Sequence, residues 1–404
     1  MIADHSQRLT IGRWEQAVSR AVERVNRLSP EDKLAIALHD FPAVTAQDFV
    51  PFDYCDGPNG VRGHSVATAF PSALALAASF DRALAGQYGA ALGREVLGAG
   101  KNAILAPGLD IARVPQGGRA GESLGEDPIL AGEIGGAVGA GIQAEGVIAV
   151  AKHYVADNFE WLRTGESMDA DGLILPGTQA AFITAVAAAN PHTVVVTLGA
   201  GPVVMPWLDS VPAVIHAWFP GEQFAPALAD VLTGRAEPGG RLPITFPTDE
   251  RTTPIQEPGQ YPGIGGVATY AEELLVGYRW YQDRGIKPAY PFGHGLGYTS
   301  FDFEDLRAEV RGAGIDLIFH IRNVGPRPGK AIPQIYISYP SNADEPPAQL
   351  KAFDVVRLGP GKARQVKINI SYDDLAIFDE LSNHVSCRLE GTRSASVPRR
   401  QNYH

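Results

Sequence analysis

Charged side chains stand directly after short apolar segments at two points of the chain. Lys152 and His153 follow the run VIAVA, and Asp56 stands in the turn sequence DGPNG. A charged group at the end of a buried strand is costly unless it is paired or used. Lys152 and His153 therefore point to a pocket at the end of their strand, whereas the residues around Asp56 by themselves favour a turn. A satisfied core histidine for His153 and an Asx turn for Asp56 are the alternatives that the residues alone leave open.

The elements that position these groups read as alternating strands and helices. NAILAPGLDIAR and VIAVAKHY are predicted buried strands, and the Ala-rich stretch ATAFPSALALAASFDRALAGQYGAALGREVLGAG is predicted helical. Alternation of this kind favours a parallel α/β fold. Functional residues of such folds lie at the carboxyl ends of the strands. DGPNG, ARVPQGGR and KHYVADN occupy that position.

The rest of the chain changes character twice. A second α/β segment runs from about Leu173 to Phe246, and a Pro/Gly/Tyr-rich connection without periodicity follows it. Short strands at close spacing, such as GKAIPQIYISYP and ARQVKINISYDD, then predict an antiparallel β-sandwich. The segment after Glu380 is polar and basic without strand alternation, and we expect it to be irregular.

Composition excludes several classes of function. The 404 residues carry a formal net charge of -11 without a basic block, which argues against a nucleic-acid partner. Two distant cysteines, Cys55 and Cys387, form neither a disulfide framework nor a metal-ligand cluster. The first residues lack the apolar core of a secretory signal, and no long apolar run predicts a membrane span. We expect a cytoplasmic protein without a cofactor.

Several motifs in this order resemble glycoside hydrolase family three, the β-glucosidase family. They are DGPNGVRG, LAPGLDIARVPQGGRAGESLGEDP, GVIAVAKHY, AWFPGE, YAEELLVGYRWY and PFGHGLGYTSF. The resemblance implies a TIM-like barrel, then an α/β sandwich domain, then a fibronectin-type-III-like β-sandwich. It implies a small-molecule glucoside or oligosaccharide as the ligand and no metal or organic cofactor.

The resemblance breaks after the Lys152–His153 motif. The second half of the barrel, with the Ser-Asp-Trp type motif that holds the nucleophilic Asp, has no counterpart, nor has the early part of the α/β sandwich domain. WLRTGESMDADGLILPG joins the remaining parts, which indicates an internal deletion. The predicted divisions are a partial (β/α) barrel that binds the glycone (1–160), a partial α/β sandwich domain (161–247), a linker (248–298), a fibronectin-III-like β-sandwich (299–380) and an irregular tail (381–404).

The resemblance also assigns roles to single residues. It makes Glu166 the acid/base, although a solvated loop carboxylate is the alternative reading. Asp56, Arg119, Lys152 and His153 correspond to sugar-binding residues of the family, with a surface ion pair as the alternative for Arg119. We expect Asp157 to support Lys152 as an ion-pair partner. Glu122, Glu126 and Asp127 also match family positions, and we read them as structural, in loop organisation and at a helix N-terminus.

Two functions of different classes remain open at this point. The first is a β-glucosidase-like hydrolase that uses two carboxyl groups in a retaining mechanism. Its nucleophile is unassigned, because the candidates Asp56, Asp110 and Asp157 each have a better role elsewhere. The second is a catalytically inactive carbohydrate-binding or scaffold protein. Because half a barrel exposes strand edges, the sequence leaves two further expectations: a homodimer that completes the barrel, or other segments, such as Trp161 and the linker, that cover the gap.

Overall fold

The computed structural model of the chain falls into two compact units, Met1–Tyr54 and Cys55–His404. Each unit is considered by itself. The residues that the structure describes are 11–38, 40–46, 49–64, 67–153, 157–160, 169–170, 172–341, 343–379 and 384–386.

The first unit contains two helices, α1 (Ile11–Arg27) and α2 (Pro30–Ala37). Helix α2 begins with Ser29 as N-cap and Pro30 in the first turn. The Ser29 hydroxyl accepts a hydrogen bond from Asp32 N at 2.9 Å. The Asp32 carboxylate in turn accepts one from Thr45 N at 2.6 Å, which fixes the segment that follows the helix.

The second unit opens with a three-stranded sheet in the order β1-β2-β3, formed by β1 (Tyr54–Asp56), β2 (Ala103–Leu105) and β3 (Ile148–Ala149). Strands β2 and β3 are parallel, as the alternation of strands and helices predicts. Helices α3 (Ala73–Ala77), α4 (Arg82–Gly98) and α5 (Pro128–Ala144) connect and cover the strands. These three strands do not by themselves establish the partial TIM-like barrel that the sequence predicts, and the barrel stays a prediction.

Helices α4 and α5 pack against each other and form the main apolar core. Asp81 caps α4 and Asp127 caps α5, since each carboxylate accepts from two backbone N–H groups of the first turn. Gly89 lets the helices approach closely, because a Cβ there would lie 2.1 Å from Val138 O. Their fully buried side chains contribute about 1.5–3 kcal/mol each for a Leu or Ile. These side chains include Leu92, Val96, Leu130, Ile134 and Ile142.

A second parallel pair follows, formed by β4 (Val194–Thr197) and β5 (Ala213–His216). Helices α6 (Gln179–Ala189) and α7 (Phe224–Leu232) flank the pair in sequence. Its core is aromatic and includes the buried Trp207, Trp218 and Phe246. The prediction of a second α/β segment is therefore confirmed.

The connection at 248–298 is more ordered than its composition predicts. It contains helix α8 (Tyr278–Arg284), and the first four residues of this helix are buried. The absence of clear periodicity in this stretch gave no prediction of α8. The physical reason is that YRWY buries four large side chains, which tertiary packing stabilises despite the Gly- and Pro-rich surroundings.

The C-terminal part is an antiparallel β-sandwich, as predicted. One sheet has the order β12-β7-β6, formed by β6 (Phe301–Arg311), β7 (Gly314–Asn323) and β12 (Ala363–Ser371). The remaining antiparallel pairs are β8 (Gly329–Ala331) with β11 (Val356–Leu358), and β9 (Gln334–Ile337) with β10 (Gln349–Phe353).

Part of the predicted irregular tail forms a strand. β14 (His384–Ser386) pairs antiparallel with β13 (Ile377–Asp379). The sequence HVS is too short to show an alternating pattern, and only pairing with the preceding strand defines its conformation. The other residues after Asp379 lie outside the part of the chain that the structure describes.

Two glycines with positive φ bound helix α8 and permit a matched test of its packing. Gly277 (φ +59°) precedes the helix and Gly285 (φ +62°) follows it. A Cβ at Gly277 would lie 2.2 Å from Cδ of the buried Glu126, whereas a Cβ at Gly285 would meet nothing within 4 Å. We expect Gly277→Ala to lower the free energy of unfolding by more than about 2 kcal/mol through combined strain and overpacking, and Gly285→Ala by about 1 kcal/mol.

Urea unfolding followed by tryptophan fluorescence measures both losses, because Trp280 lies in this helix. Equal losses for the two variants would contradict the close packing of Glu126 against Gly277.

Candidate active site

The predicted site residues meet at the carboxyl ends of the parallel strands. Asp56 ends β1. Lys152 and His153 follow β3, where a parallel bridge joins Lys152 to Gly108 in the segment after β2. The Lys152 carbonyl accepts from Leu109 N at 2.6 Å. This backbone pairing brings the ends of neighbouring strands, and hence their side chains, to one place.

Arg119 is the centre of the cluster. Its guanidinium binds Glu122 through two hydrogen bonds, Nε to Oε1 at 3.1 Å and Nη2 to Oε2 at 2.8 Å. Nη1 donates to Asp157 Oδ2 at 3.0 Å and to Glu160 Oε1 at 3.2 Å. Nη2 also lies 2.9 Å from His153 Nε2. The side chain of Arg119 is only 15% exposed, so these contacts are shielded from solvent.

Lys152 pairs with a different acid from the one expected. Its Nζ lies 2.7 Å from Asp56 Oδ1 and 3.6 Å from Glu122 Oε2. The expectation that Asp157 supports Lys152 is wrong, because Asp157 turns to Arg119 and His153 instead. The cause is the fold of the strand ends, which places Lys152 across from Asp56, a neighbour that sequence distance does not reveal.

His153 has a defined hydrogen-bonding role. Its Nδ1 lies 2.6 Å from Asp110 Oδ2, and its Nε2 faces an Arg119 nitrogen. Because a guanidinium only donates, Nε2 accepts, and the proton of a neutral ring is on Nδ1, where it is donated to Asp110. Asp110 also accepts from the backbone N–H groups of His153 and Asp157. Asp110 therefore orients the imidazole and the loop beyond it.

The cations of the cluster lower the pKa of two of its acids, Glu122 and Asp56. Burial by itself would raise the pKa of Glu122, but Arg119, Lys152 and Arg62 bring that pKa below its usual value. For Asp56, burial again opposes Lys152 and Arg62, and the pKa is lowered. Glu122, Glu160 and Asp157 raise the pKa of Arg119, although burial opposes them. Cations and carboxylates thus stabilise each other's charged forms at neutral pH.

Three cationic side chains face five carboxylates in this cluster, namely Arg62, Arg119 and Lys152 against Asp56, Asp110, Glu122, Asp157 and Glu160. A surface with this excess of acceptors disfavours anions. It offers paired donors and acceptors to the hydroxyl groups of a neutral ligand.

The start of the next segment is tied to the cluster through Asp169. This buried carboxylate accepts from Gly118 N at 2.9 Å and from Glu160 N at 2.8 Å. Gly118 directly precedes Arg119, so Asp169 fixes the two loops that carry Arg119 and its partner Glu160. The predicted acid/base Glu166 lies outside the described residues, as does everything from 161 to 168.

Sequence reasoning missed several members of the site. Arg62 and Glu160 were not considered, and Glu122 was read as structural although it contacts both Arg119 and Lys152. Arg62 follows Asp56 in the same motif, DGPNGVRG, and that proximity was an available signal. Glu160 carries no such signal. In contrast, the prediction that Asp127 serves a helix N-terminus is confirmed, since it caps α5.

Comparison with known families decides the relationship of this chain. The description "Glycosyl hydrolase family 3 C-terminal domain" matches residues 4–298, and "Fibronectin type III-like domain" matches residues 331–393. The first match covers well over half of the 404 residues. The chain belongs to glycosyl hydrolase family 3. This confirms the resemblance that the sequence motifs indicate.

Relatives in family 3 are longer than this chain. A β-glucosidase of Rhizobium radiobacter is 41% identical over 220 residues, which cover 53% of this chain and 27% of that protein. Thermostable β-glucosidase B of Acetivibrio thermocellus is 35% identical over 237 residues, covering 57% of this chain and 31% of the relative. The chain therefore spans less than a third of the length of these two relatives.

Solved family structures share the fold. DesR, a β-glucosidase from Streptomyces venezuelae in complex with D-glucose, superposes with a TM-score of 0.80 at 17% identity, over 86% of this chain and 94% of that chain. A β-glucosidase from Kluyveromyces marxianus in complex with glucose is 32% identical, with a TM-score of 0.53, over 55% of this chain and 27% of that chain. The first likeness is one of fold alone.

The described part of the chain has neither a membrane-spanning helix nor a clustered metal site. None of its helices has the length and apolar character that a membrane crossing requires. No group of three or more His, Cys, Asp or Glu side chains among these residues could hold a metal ion. Cys55 is buried, and its thiol lies 3.7 Å from Ala103 O.

The dependence of the cluster on Arg119 can be tested by unfolding. Arg119→Met leaves Glu122, Asp157 and Glu160 close together without their cation. We expect a loss of about 3–5 kcal/mol in the free energy of unfolding at pH 7. The loss shrinks on acidification. Because the pKa of Glu122 is lowered in the folded state, its contribution is present above the unfolded pKa and disappears as pH falls through the folded value.

Urea unfolding at pH 7 and at about pH 3.5, below the ordinary pKa of Glu, measures the two losses. Arg311→Met is the control, since Arg311 pairs with Glu309 on an exposed strand, and its loss should fall within experimental error at both pH values. A loss for Arg119→Met that does not depend on pH would contradict an electrostatic role.

Proposed function

We propose that this chain is a β-glucosidase-like glycoside hydrolase of family 3 that acts on β-linked glucosides. The observation that carries the proposal is the meeting of Asp56, Arg119, Lys152 and His153 at the strand ends, which are the positions that match sugar-binding residues of the family. The relatives named above are β-glucosidases, and two of the solved structures contain glucose.

The proposed glycone site uses both signs of charge. Asp56 accepts hydrogen bonds from sugar hydroxyls while Lys152 keeps it ionised. Lys152 and Arg119 donate to hydroxyl oxygens, and His153 is held in one orientation by Asp110. Asp157 supports this arrangement through Arg119 and His153. Each charge-assisted hydrogen bond to the sugar contributes about 1.5–3 kcal/mol.

In the proposed mechanism Glu166 protonates the leaving oxygen and then activates water. A retaining reaction also needs a carboxylate nucleophile about 5–5.5 Å from the acid. The segment that carries this Asp in the family has no counterpart in the sequence, and we attribute its loss to an internal deletion that also removed the rest of the barrel.

A specific observation favours the second function, an inactive carbohydrate-binding or scaffold protein. Every carboxylate of the described cluster has a partner: Asp56 has Lys152, Asp110 has His153, and Glu122, Asp157 and Glu160 have Arg119. A nucleophile must approach the anomeric carbon with a free oxygen. Acids that are neutralised in this way are suited to hold a sugar, but not to attack it.

Hydrolysis of 4-nitrophenyl β-D-glucoside by the purified chain tests the first function. We expect slow release of nitrophenol that Glu166→Gln reduces by about 10²-fold or more, because general acid/base catalysis contributes about 10²–10⁴-fold. Glu145→Gln is the matched control, since Glu145 pairs with Arg94 at the end of α5, and it should leave the rate unchanged. Turnover that survives Glu166→Gln would refute the role of Glu166.

Calorimetric titration with glucose separates the two functions. Binding without turnover favours the inactive protein, and Asp56→Asn should then weaken binding about tenfold or more through the lost charge-assisted bond. The absence of both turnover and glucose binding in a folded sample would refute the glycone site itself.

We further propose that two chains pair through the open edge of the barrel sheet. Among the described residues, β3 has β2 on one side and no strand on the other. Its Ile148 is 50% exposed.

Light scattering should give twice the chain mass of 43.0 kDa. Ile148→Glu should give the monomer mass, since a charge blocks pairing at an edge strand. Val310→Glu, at a residue that is 71% exposed on β6, should stay dimeric. A monomeric parent chain would refute the pairing.

A further inference from the structure

A cleft of about 690 Å³ lies apart from the proposed glycone site and shares no residue with it. It is bounded by the end of α3, by the turn around Gly239 and Gly240, and by strands β8 and β11 of the sandwich. This volume is in the range of small-molecule pockets. Four glycines contribute no side chains to the lining and leave the space open, namely Gly239, Gly240, Gly329 and Gly359.

The charges around this cleft do not balance. Lys330 and Arg357 line it, and Arg241 follows directly after Gly240. Asp81 binds Arg357 at 2.8 Å, and Glu237 is the acid that acts on Arg241. The lining itself carries two cations, Lys330 and Arg357, and one carboxylate, Glu237, in a chain whose formal net charge is -11.

Lys330 is held by a backbone carbonyl and not by an acid. Its ammonium donates to the Ser79 carbonyl oxygen at 3.1 Å, and no carboxylate of the described residues lies within ion-pair distance of it. Burial lowers the pKa of Lys330 to about 8, and Arg357 and Arg241 add to the lowering while Asp81 opposes it. At neutral pH the ammonium is still mostly charged, and an anion beside it would be stabilised.

We propose that this cleft binds a small molecule that carries a phosphate or carboxylate group. Lys330 and the exposed side of Arg357 would hold the anionic group, and the glycine-lined space would take a body of about the size of a monosaccharide. The ligand class differs from that of the glycone site, where five carboxylates face three cations and disfavour an anion.

Calorimetric titration of the full chain in a buffer free of phosphate tests this proposal. Inorganic phosphate, glucose 6-phosphate, glucuronate and glucose serve as probes. We expect saturable binding of at least one anionic probe that weakens as salt rises. Stronger binding of glucose 6-phosphate than of glucuronate identifies phosphate as the recognised group, and the reverse order identifies carboxylate.

Lys330→Gln should weaken the binding of the anion about tenfold or more, since it removes a charge-assisted donor. Lys367→Gln is the matched control, because Lys367 pairs with Asp316 on the same sandwich and does not line the cleft. Arg357→Gln provides a second variant in case one of them unfolds, and urea unfolding checks each.

No saturable binding of any anionic probe would overturn the proposal, and so would binding that Lys330→Gln and Arg357→Gln leave unchanged. Inorganic phosphate separates this proposal from the glucosidase proposal, because it carries no sugar that the proposed glycone site could hold. Asp56→Asn should not alter the binding of inorganic phosphate. If it does, the anion binds at the strand ends and the cleft is not the site.

Discussion

The contacts of Arg119 determine the arrangement of the whole candidate site. Three carboxylates, Glu122, Asp157 and Glu160, come within hydrogen-bond distance of one guanidinium. Acids at this spacing repel each other unless a cation lies between them, and burial makes the repulsion stronger. The planar, five-donor guanidinium meets this requirement in a way that a lysine ammonium does not. The loops that carry these acids take their positions from Arg119.

A second buried group of charges holds the sandwich to the α/β part of the second unit. Asp127 caps α5 with one oxygen and accepts from Tyr278 and Arg279 with the other. The Tyr278 hydroxyl in turn accepts from Leu350 N in β10. One aspartate thus links the start of a helix, the connection and the β-sandwich, which explains why α8 is fixed in a segment that reads as a linker.

Glu126, next to Asp127 in the chain, is a buried carboxyl that depends on several hydrogen-bond donors. Burial raises the pKa of this carboxyl to about 7, although it accepts from Thr245 N, Thr245 Oγ1 and Tyr278 N. Those three donors offset part of the desolvation cost. The balance of charges also distinguishes the proposed glycone site from the cleft lined by Lys330 and Arg357. Acids outnumber cations at the strand ends, whereas cations outnumber acids in the lining of the cleft.

The sequence by itself determined the order of the elements, the parallel and antiparallel parts, the helix N-terminus at Asp127, and the family. These features depend on local patterns, namely apolar periodicity, capping residues and collinear motifs. It also indicated that Asp56, Lys152 and His153 belong to one pocket, since the carboxyl ends of parallel strands meet.

Only the tertiary structure decided which charges pair. Lys152 selects Asp56, which lies 96 residues away, and leaves Asp157 to Arg119. Such pairings depend on the relative placement of strands and loops, which no local pattern encodes. Helix α8 and strand β14 were missed for the same reason, since both are short. Packing against distant residues stabilises α8, and pairing with the neighbouring strand β13 defines β14.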